Sequence, residues 1–319
     1  MRALVVSSPE SAAFVKDWVL PAPGPDELRI KVSACGLNFA DLLMIEGTYQ
    51  ETPPLPFVPG LEIAGTILAV GPGVDGFAIG DRVSAYCGAG GLAEAANVPA
   101  VRCRKVPSNM PIDVAAGFQI AYGTSHLALT RRAGLRAGET LVVLGAAGGV
   151  GLTAVEVGKA LGARVIGVAR GAEKLDIARA AGAQETIDAT APDLRGALKA
   201  LGGADVIYDA VGGDLGEAAL RALNPEGRFL AIGFASGTVP KPKLNHMLVK
   251  NIDVIGFYWG GYLAFAPDAL NQSLSELMDW YSEGKISPHI SHRLPFDQAI
   301  KGLDLLKSRK ATGKVVITL

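Results

Sequence analysis

The chain has 319 residues, of which 49% are hydrophobic and 19% charged, and its formal net charge at pH 7 is -1. This amount of apolar material supports one or two cores, and the charged fraction is too small for a disordered tail. The balance of charge excludes a global field that attracts nucleic acid or an anionic membrane, although a local basic patch is compatible with it.

The first 115 residues are rich in short apolar runs of the kind found in β-strands. Pro- and Gly-rich segments such as PAPGPDE and VGPGVDGFAIGD separate these runs and mark turns. No helical period longer than two turns occurs before about Asn38. The pattern predicts an antiparallel, barrel-like region whose strands include MRALVV, ELRIKVSACG, LEIAGTILAVG and DRVSAYC.

From about residue 139, apolar runs alternate with helix-like segments rich in Ala and Leu. Nearly continuous apolar strands separated by helices indicate parallel strands that are covered on both faces. We therefore predict an α/β fold with a doubly wound sheet of six strands, at residues 141–146, 164–169, 185–188, 205–212, 227–234 and 253–259.

A helical segment, ALNQSLSELMDWYSEGKI, and a strand, GKVVITL, follow residue 260. We predict two domains, of which the β-rich one is discontinuous and comprises residues 1–115 and 258–319. Residues 116–257 are expected to form a nucleotide-binding domain inserted between these two parts.

The strand LVVLG runs directly into AAGGVGLTAVEV, which opens a helix. At the first strand-to-helix turn of a doubly wound sheet, glycines permit close backbone approach, and the helix N-terminus offers free N–H groups to a pyrophosphate. Gly145, Gly148 and Gly151 have GxxGxxG spacing, and Ala146 replaces the first glycine of a strict GxGxxG. This context predicts a dinucleotide site; the alternative is a turn that only packs the helix tightly on the sheet.

The end of the second strand indicates which dinucleotide is bound. An acidic side chain there would hydrogen-bond the ribose of NAD, but RVIGVARGAEKL has Ala169 and Arg170 instead. Arg170 and Lys174 can pair with a 2′-phosphate, which a carboxylate would repel. The sequence favours NADPH, although Lys174 can also be a solvated helix residue and the adjacent Glu173 weakens the argument.

Three cysteines, Cys35, Cys87 and Cys103, are too widely spaced for a disulfide framework or a CxxC metal site, and they fit a reducing compartment. The first residues lack the long apolar stretch of a secretory signal. The longest uncharged stretch, 114–130, is too short and too polar to span a bilayer. We expect a cytoplasmic protein.

Six motifs spread over the chain carry a family resemblance: ACGLNFADLL, PFVPGLEIAGTILAVGPGV, GDRV, AAGGVG, YDAVGG and ATGKVVI. Together they resemble the medium-chain dehydrogenase/reductase superfamily and, within it, the zinc-independent NADPH:quinone oxidoreductases, the group that includes zeta-crystallin. The resemblance implies a GroES-like β-barrel catalytic domain plus a Rossmann domain, in a chain that forms a homodimer through the edge strand 254–259.

The metal ligands of similar zinc-dependent alcohol dehydrogenases are replaced here. Asn38 and Ala116 stand where those enzymes carry cysteines, and Leu61 stands where they carry a histidine. A catalytic zinc needs three nitrogen or sulfur donors and an open fourth position, and the surviving Glu62 cannot hold the metal alone. The cysteines are also too scattered for the structural zinc lobe of those enzymes, so the resemblance implies a metal-free protein.

Without a Lewis acid to polarise an alcohol, hydride transfer from NADPH to an electrophilic acceptor remains accessible. The resemblance implies that Asn38 and Asp41 lie beside the nicotinamide and the acceptor, where Asn38 could donate to a developing oxyanion. Asp41 is equally well explained as a helix cap or a buried structural acceptor. Tyr49 matches an aromatic residue of the substrate cleft and could hydrogen-bond a carbonyl, or it could only pack.

Further cofactor contacts follow from the same resemblance. Thr124 matches a nicotinamide contact, the segment 232–237 a loop along the cofactor, and Gly313 with Lys314 a phosphate or ribose contact. Ala189 stands where relatives carry a tyrosine that packs on the 2′-phosphate end of the cofactor. Binding of the 2′-phosphate would therefore depend more on Arg170 and Lys174. The full set is Thr124, Gly145, Ala147, Gly148, Gly149, Val150, Gly151, Arg170, Lys174, Ala210, Gly233, Phe234, Ser236, Gly313 and Lys314.

Several conspicuous side chains have ordinary explanations. Phe257, Tyr258 and Trp259 could line the acceptor site or fill a dimer interface, and we favour the interface for two of them. We interpret His126 as a core or capping residue. The pair His289 and His292 is interpreted as surface or packing residues.

The leading functional hypothesis is reduction of a quinone by NADPH. Reduction of an activated alkene, such as an enone or an enoyl or acryloyl thioester, is the nearest alternative. Residues 38–62 and 257–265 contain no Lys or Arg, which favours a small apolar acceptor over a thioester with a phosphorylated arm. A nucleotide- or RNA-binding crystallin-like protein is the alternative from another class; the net charge opposes it, but KPKLNHMLVK, at 241–250, holds three lysines and a histidine.

Overall fold

The structure is a computed structural model that describes residues 1–9 and 11–319. Two compact units make up the chain: residues 1–120 with 288–319, and residues 121–287. The expected boundary at 258 differs from this division, because residues 258–287 pack with the second unit. A side chain at Gly123 would meet the Trp259 indole at 2.5 Å and Leu274 at 3.3 Å, so the absence of a Cβ there admits both residues.

The first unit begins with a β-rich region, as predicted. Alternate residues of its longest strand, including Leu28, Ile30 and Val32, are buried. Its elements in chain order are β1 (Ala3–Ser8), β2 (Ser11–Val15), β3 (Glu27–Leu37), α1 (Phe39–Ile45), β4 (Glu62–Val70), β5 (Arg82–Tyr86), β6 (Ala95–Pro99), a 3-10 helix (Ala100–Arg102), β7 (Cys103–Lys105) and α2 (Ile112–Ala116).

The second unit is built on a parallel sheet, which confirms the six predicted strands. Its elements are α3 (Gln119–Leu127, which begins in the first unit), a π-helical turn (Ala128–Arg132), β8 (Thr140–Leu144), α4 (Gly149–Ala160), β9 (Arg164–Ala169), α5 (Ala172–Ala181), β10 (Glu185–Asp188), α6 (Leu194–Ala200), β11 (Ala204–Asp209), α7 (Gly213–Leu220), β12 (Leu223–Ala231), α8 (Leu244–Lys250), β13 (Asp253–Gly256), α9 (Tyr262–Phe265) and α10 (Pro267–Ser282).

The six strands lie in the order β10-β9-β8-β11-β12-β13, and all their pairings are parallel. Residues Leu141–Leu144 of the central strand β8 are fully buried, as expected for a strand with both faces covered. The chain leaves β8 toward β9 and β10, and then returns to β11 on the other side of β8. Ligands of open parallel sheets bind at such a reversal of strand order, outside the carboxyl ends of the strands.

The chain returns to the first unit with β14 (Ile290–Pro295), a 3-10 helix (Phe296–Gln298), α11 (Ala299–Lys307) and β15 (Lys314–Thr318). The large sheet of this unit has the order β14-β15-β3-β4-β5-β7, with β6 also paired to β3. β15 runs antiparallel to β3, with Val315 opposite Leu37, and β3 runs antiparallel to β4, with Gly36 opposite Glu62. This register brings Asn38, Glu62 and Lys314 to one end of three adjacent strands.

Candidate functional site

A glycine-rich turn follows β8 in the second unit. Gly145 has a φ of +75°, a conformation that favours glycine, and the Gly148 N–H donates to the Gly145 carbonyl at 2.8 Å. Gly148 caps α4, and the Leu152 N–H donates to the Gly148 carbonyl at 2.8 Å. The amides that precede Leu152 belong to the start of the helix, where N–H groups have no intrahelical acceptor and can bind an anion.

Close packing explains the third glycine of this turn. A Cβ on Gly151 would lie 2.1 Å from the Gly145 carbonyl oxygen, so the helix rests directly on the turn. Ala146, which interrupts the strict motif, is fully buried, and its methyl group packs against Gly167 of β9. The GxxGxxG spacing therefore meets the steric demands of the turn without a glycine at 146.

Three buried hydroxyl groups anchor the first turn of α4. The Ser125 hydroxyl lies 2.7 Å from that of Thr153 and 3.2 Å from that of Tyr208, and it donates to the Val150 carbonyl at 3.0 Å. Thr153 also donates to the carbonyl of Ala121 at 3.0 Å. These contacts tie α3, α4 and β11 together beneath the glycine turn. Isolated hydroxyls in apolar segments form no local pattern, so the sequence alone does not predict these contacts.

A second turn, after β11, is organised by Asp209. Its Oδ1 accepts the N–H groups of Val211 and Gly212, both at 2.8 Å, and its carbonyl accepts those of Ile232 and Gly233 at 2.9 and 3.2 Å. Burial raises the pKa of this carboxyl group, which is 1% exposed. Asp209 thus joins the ends of β11 and β12.

The loop after β12 follows this turn through backbone hydrogen bonds. The Ala235 N–H donates to the Ala210 carbonyl at 3.3 Å, and the Ser236 N–H donates to the Val211 carbonyl at 2.8 Å. Val211 also lies 3.0 Å from the position of a Cβ on Gly145. The fold therefore brings the predicted residues Ala210, Gly233, Phe234 and Ser236 close to the glycine turn.

The predicted 2′-phosphate ligands lie at the end of β9 and on α5. Arg170 is exposed and Lys174 half-buried. The carboxylate of Asp188 accepts from the N–H and the hydroxyl of Thr190 at 2.8 and 2.7 Å and from the Gly171 N–H at 3.0 Å. These bonds, with a smaller contribution from Arg170, hold the pKa of Asp188 below its usual value. An acidic group thus stands near Arg170, although it lies 18 residues further along the chain.

In the first unit, Lys314 forms a buried ion pair with Glu62 at 2.7 Å. The Lys314 ammonium also donates to the Leu37 carbonyl at 2.8 Å and to Asn38 Oδ1 at 2.7 Å. Lys314 is 7% exposed and Glu62 is 1% exposed. The second carboxylate oxygen of Glu62 accepts from the Ile120 N–H at 3.2 Å.

This network uses all the hydrogens of the Lys314 ammonium and of the Asn38 side-chain amide. The three ammonium hydrogens of Lys314 match its three acceptors, so the expected phosphate or ribose contact has no hydrogen left to use. Asn38 Nδ2 donates to the Gly36 carbonyl and to Glu62 Oε1, both at 3.1 Å, which accounts for both amide hydrogens. Asn38 therefore presents an oxygen, and not a free N–H, to any ligand that reaches it.

Asp41 caps the short helix α1. One carboxylate oxygen accepts the Asn38 N–H at 2.8 Å and the other accepts the Gly60 N–H at 3.0 Å. The side chain is fully buried, and this burial raises its pKa to about 7 against the two hydrogen bonds that lower it. Of the two roles left open by the sequence, the geometry matches the structural acceptor.

The remaining predicted residues are distributed between the two units. Tyr49 is half-buried in the loop after α1, where its N–H donates to the Leu43 carbonyl at 3.2 Å. Thr124 is buried in α3 of the second unit. Gly313, with a φ of +57°, directly precedes Lys314, and a Cβ there would lie 2.4 Å from the His289 carbonyl oxygen.

The aromatic and histidine candidates have packing roles within their own units. Phe257 and Trp259 are buried, and Phe257 stacks on Tyr262 with ring centroids 5.5 Å apart. His126 is buried, with Nδ1 2.8 Å from the Ser273 hydroxyl and its ring edge-on to Trp280. His289 Nε2 lies 3.2 Å from the Thr312 hydroxyl, and His292 Nδ1 lies 2.9 Å from the Ser291 hydroxyl.

Within residues 1–9 and 11–319, no three side chains of the His, Cys, Asp and Glu types are grouped to hold a metal. Cys35, Cys87 and Cys103 are free thiols. At the positions of the alcohol dehydrogenase ligands, Leu61 and Ala116 are buried apolar residues, and the Lys314 ammonium lies between the oxygens of Asn38 and Glu62. This donor set does not fit zinc, which takes nitrogen, sulfur or carboxylate ligands and no adjacent ammonium.

In the part of the chain that the structure describes, the helices are all too short or too polar to cross a membrane.

A barrel-like unit joined to a six-stranded parallel sheet with a glycine turn defines a two-domain nucleotide-dependent oxidoreductase. Two family models match: an alcohol dehydrogenase GroES-like domain over residues 24–108, and a zinc-binding dehydrogenase over residues 149–283. The chain belongs to the medium-chain dehydrogenase/reductase superfamily and, within it, to the zinc-independent quinone oxidoreductase family.

Individual relatives agree with this assignment. The quinone oxidoreductase-like protein 2 homolog of Nematostella vectensis is 40% identical over 300 residues, covering 92% of this chain and 82% of the relative. The NADPH complex of the Escherichia coli quinone oxidoreductase superposes with a TM-score of 0.92 at 28% identity, with full coverage of both chains. The Thermus thermophilus quinone oxidoreductase, also described in complex with NADPH, has a TM-score of 0.87 at 32% identity, again with full coverage of both chains.

Proposed function

We propose that this oxidoreductase uses NADPH to reduce a quinone to a hydroquinone. The observation that carries the proposal is the glycine turn at 145–151, where a helix N-terminus rests on the carboxyl end of the central strand. The NADPH complexes of the E. coli and T. thermophilus relatives support the choice of cofactor. Arg170 and Lys174 provide cations for a 2′-phosphate.

The residues of the second unit fit a bound dinucleotide. The free amides at the start of α4 would hold the pyrophosphate, and Ser125 and Thr153 fix that turn from below. Backbone at Ala210, Gly233 and Ser236 would line the nicotinamide half, because Asp209 holds these two turns together. When bound, NADPH supplies a hydride to the acceptor, and one proton from solvent completes the hydroquinone.

The first unit favours a quinone over an activated alkene. Hydride addition to an enone or enoyl thioester produces an enolate, which is a much stronger base than the hydroquinone anion formed from a quinone and therefore depends more on a hydrogen-bond donor. Both amide hydrogens of Asn38 already have acceptors, which leaves Tyr49 as the candidate donor among the predicted catalytic residues. The lack of Lys and Arg in 38–62 and 257–265 further favours a small apolar acceptor.

A steady-state screen of NADPH oxidation tests this function. Quinones, enones and acyl-CoA enones are compared at equal concentration, each with and without a chelator. We expect turnover with quinones that is insensitive to chelation. Turnover with enoyl thioesters alone would replace the proposed substrate, and loss of activity on chelation would contradict the metal-free assignment.

We also propose a homodimer formed through β13. This strand lies at the end of the sheet order, and Val254 within it is 41% exposed. The neighbouring helix α8 exposes Leu244 and Leu248 at 77% and 76%. Val254→Lys is expected to give a monomer in sedimentation equilibrium, whereas Val101→Lys, at an exposed position of the other unit, should leave the dimer intact. A monomeric wild-type protein at micromolar concentration would contradict the proposal.

RNA binding has weaker support in the 241–250 segment. The Lys250 ammonium is occupied by the carbonyls of Arg221 and Leu223 at 2.9 and 2.8 Å. The exposed surface of α8 is therefore largely apolar, which suits a protein interface better than a phosphate backbone.

A further inference from the structure

The Lys314 side chain is enclosed by three oxygen acceptors of its own unit. Its ammonium bonds the Leu37 carbonyl, Asn38 Oδ1 and Glu62 Oε1 at 2.7–2.8 Å, and its aliphatic stem runs along Gly117. A Cβ on Gly117 would lie 3.1–3.4 Å from three carbons of that stem. A lysine that contacts a cofactor phosphate would direct its ammonium outward, whereas this one is directed into the fold.

The network fixes which way the Asn38 amide points. Lys314 can only donate and Glu62, as a carboxylate, can only accept. The amide oxygen must therefore face Lys314 and the amide nitrogen must face Glu62, and a flipped amide would place like partners against each other at both ends. The Lys314–Glu62 ion pair and the backbone carbonyl of Gly36 together permit only one orientation of the Asn38 carboxamide.

We propose that Lys314 is a positioning residue, an internal cation that holds the Asn38 carboxamide in the orientation used for the acceptor and that does not contact the cofactor. The inference rests on the proposed function and on the place beside the acceptor that the family resemblance implies for Asn38. Lys314 acts through Asn38 and is therefore not itself a catalytic residue. The role differs from the phosphate or ribose contact that the family resemblance implies for this position.

The first test separates positioning from cofactor binding. Lys314→Met keeps most of the aliphatic stem and removes the charge. We expect the kcat/KM for the acceptor to fall by about 10- to 100-fold, because a displacement of the Asn38 carboxamide by about 1 Å has a cost of this size. The Kd of NADPH, measured by nicotinamide fluorescence, should remain within about twofold of wild type, since the cofactor loses no contact. Lys310→Met, at an exposed lysine of the same unit, should change neither quantity.

Chemical rescue tests the need for a charge. Lys314→Ala removes a fragment equivalent to propylammonium. Added propylammonium should restore most of the lost acceptor kcat/KM, whereas neutral propanol should not. Equal recovery with both compounds, or recovery with neither, would overturn the requirement for a cation at this point.

A third measurement needs no turnover and so distinguishes failure of this inference from failure of the proposed function. The side-chain amide signals of Asn38 can be assigned in selectively 15N-Asn-labelled protein by their absence in Asn38→Ala. They should shift or broaden in Lys314→Met and stay in place in Lys310→Met. An unchanged Asn38 signal in folded Lys314→Met, or a tenfold rise in the NADPH Kd with unchanged acceptor kinetics, would overturn the proposal.

Discussion

The contact between Gly151 and Gly145 makes Gly151→Ala a quantitative test of the dinucleotide site. The new Cβ would lie 2.1 Å from the Gly145 carbonyl oxygen, and ordinary van der Waals contact begins at 3.4 Å. The helix start and the turn must therefore separate by about 1.3 Å, the difference between these two distances. Because a misplacement of about 1 Å in a binding geometry costs on the order of 100-fold, we expect kcat/KM for NADPH to fall by about that factor.

The assay is steady-state kinetics with NADPH as the varied substrate, combined with the Kd of NADPH from fluorescence. The loss should appear in the Kd, since the displaced amides are proposed to bind the pyrophosphate. Overpacking should also lower the free energy of unfolding by about 1–3 kcal/mol. Gly256→Ala is the matched control, because a Cβ there has no neighbour within 4 Å. A folded Gly151→Ala protein with wild-type NADPH affinity would refute the assignment of this turn.

Two further predictions concern charge. Asp41 has an ordinary pKa of 3.8 and a pKa of about 7 when folded, so the folded protein retains a proton that the unfolded chain releases, and stability falls as pH rises through this window. The unfolding free energy of wild type minus that of Asp41→Asn, from urea titrations, should fall by about 2–3 kcal/mol between about pH 5 and pH 8; a constant difference would show that Asp41 is charged throughout. Arg170→Ala should raise KM for NADPH by about tenfold and leave KM for NADH nearly unchanged; equal changes for both cofactors would remove Arg170 from the 2′-phosphate site.

Local sequence patterns predict the sheet and the glycine turn because each depends on neighbours in the chain. The six parallel strands are apolar runs with helices between them. The close contact that requires a glycine at 151 is made with Gly145, which lies in the same seven-residue turn. The domain boundary, in contrast, depends on contacts between segments that are distant in the chain. The amphipathic pattern of α10 shows that one face is buried, but it does not show that Leu274 of this helix packs against Gly123 of the second unit.

The hydrogen-bonding capacity of Asn38 also cannot be predicted from the local sequence, because it depends on residues that are distant in the chain. The sequence predicts an amide that can donate to an oxyanion, but its donor capacity depends on Glu62 and Lys314, which lie 24 and 276 residues away in the chain. Likewise, the hydroxyls of Ser125, Thr153 and Tyr208 meet only through the fold. Such long-range contacts can be predicted only when the strand register is known. The pairings of β3 with β4 and with β15 bring Asn38, Glu62 and Lys314 together.

The Lys314 network also explains why the loss of zinc ligands is not a set of independent substitutions. With Asn38, Leu61 and Ala116 in place of the ligands, Glu62 would be a buried carboxylate without a cation, which is strongly destabilising in a protein interior. The Lys314 ammonium, 2.7 Å away, neutralises that charge and occupies the space between the remaining oxygen donors. Restoring the three ligands alone would place a metal next to an ammonium. We therefore expect zinc binding to require replacement of Lys314 as well as restoration of the three ligands.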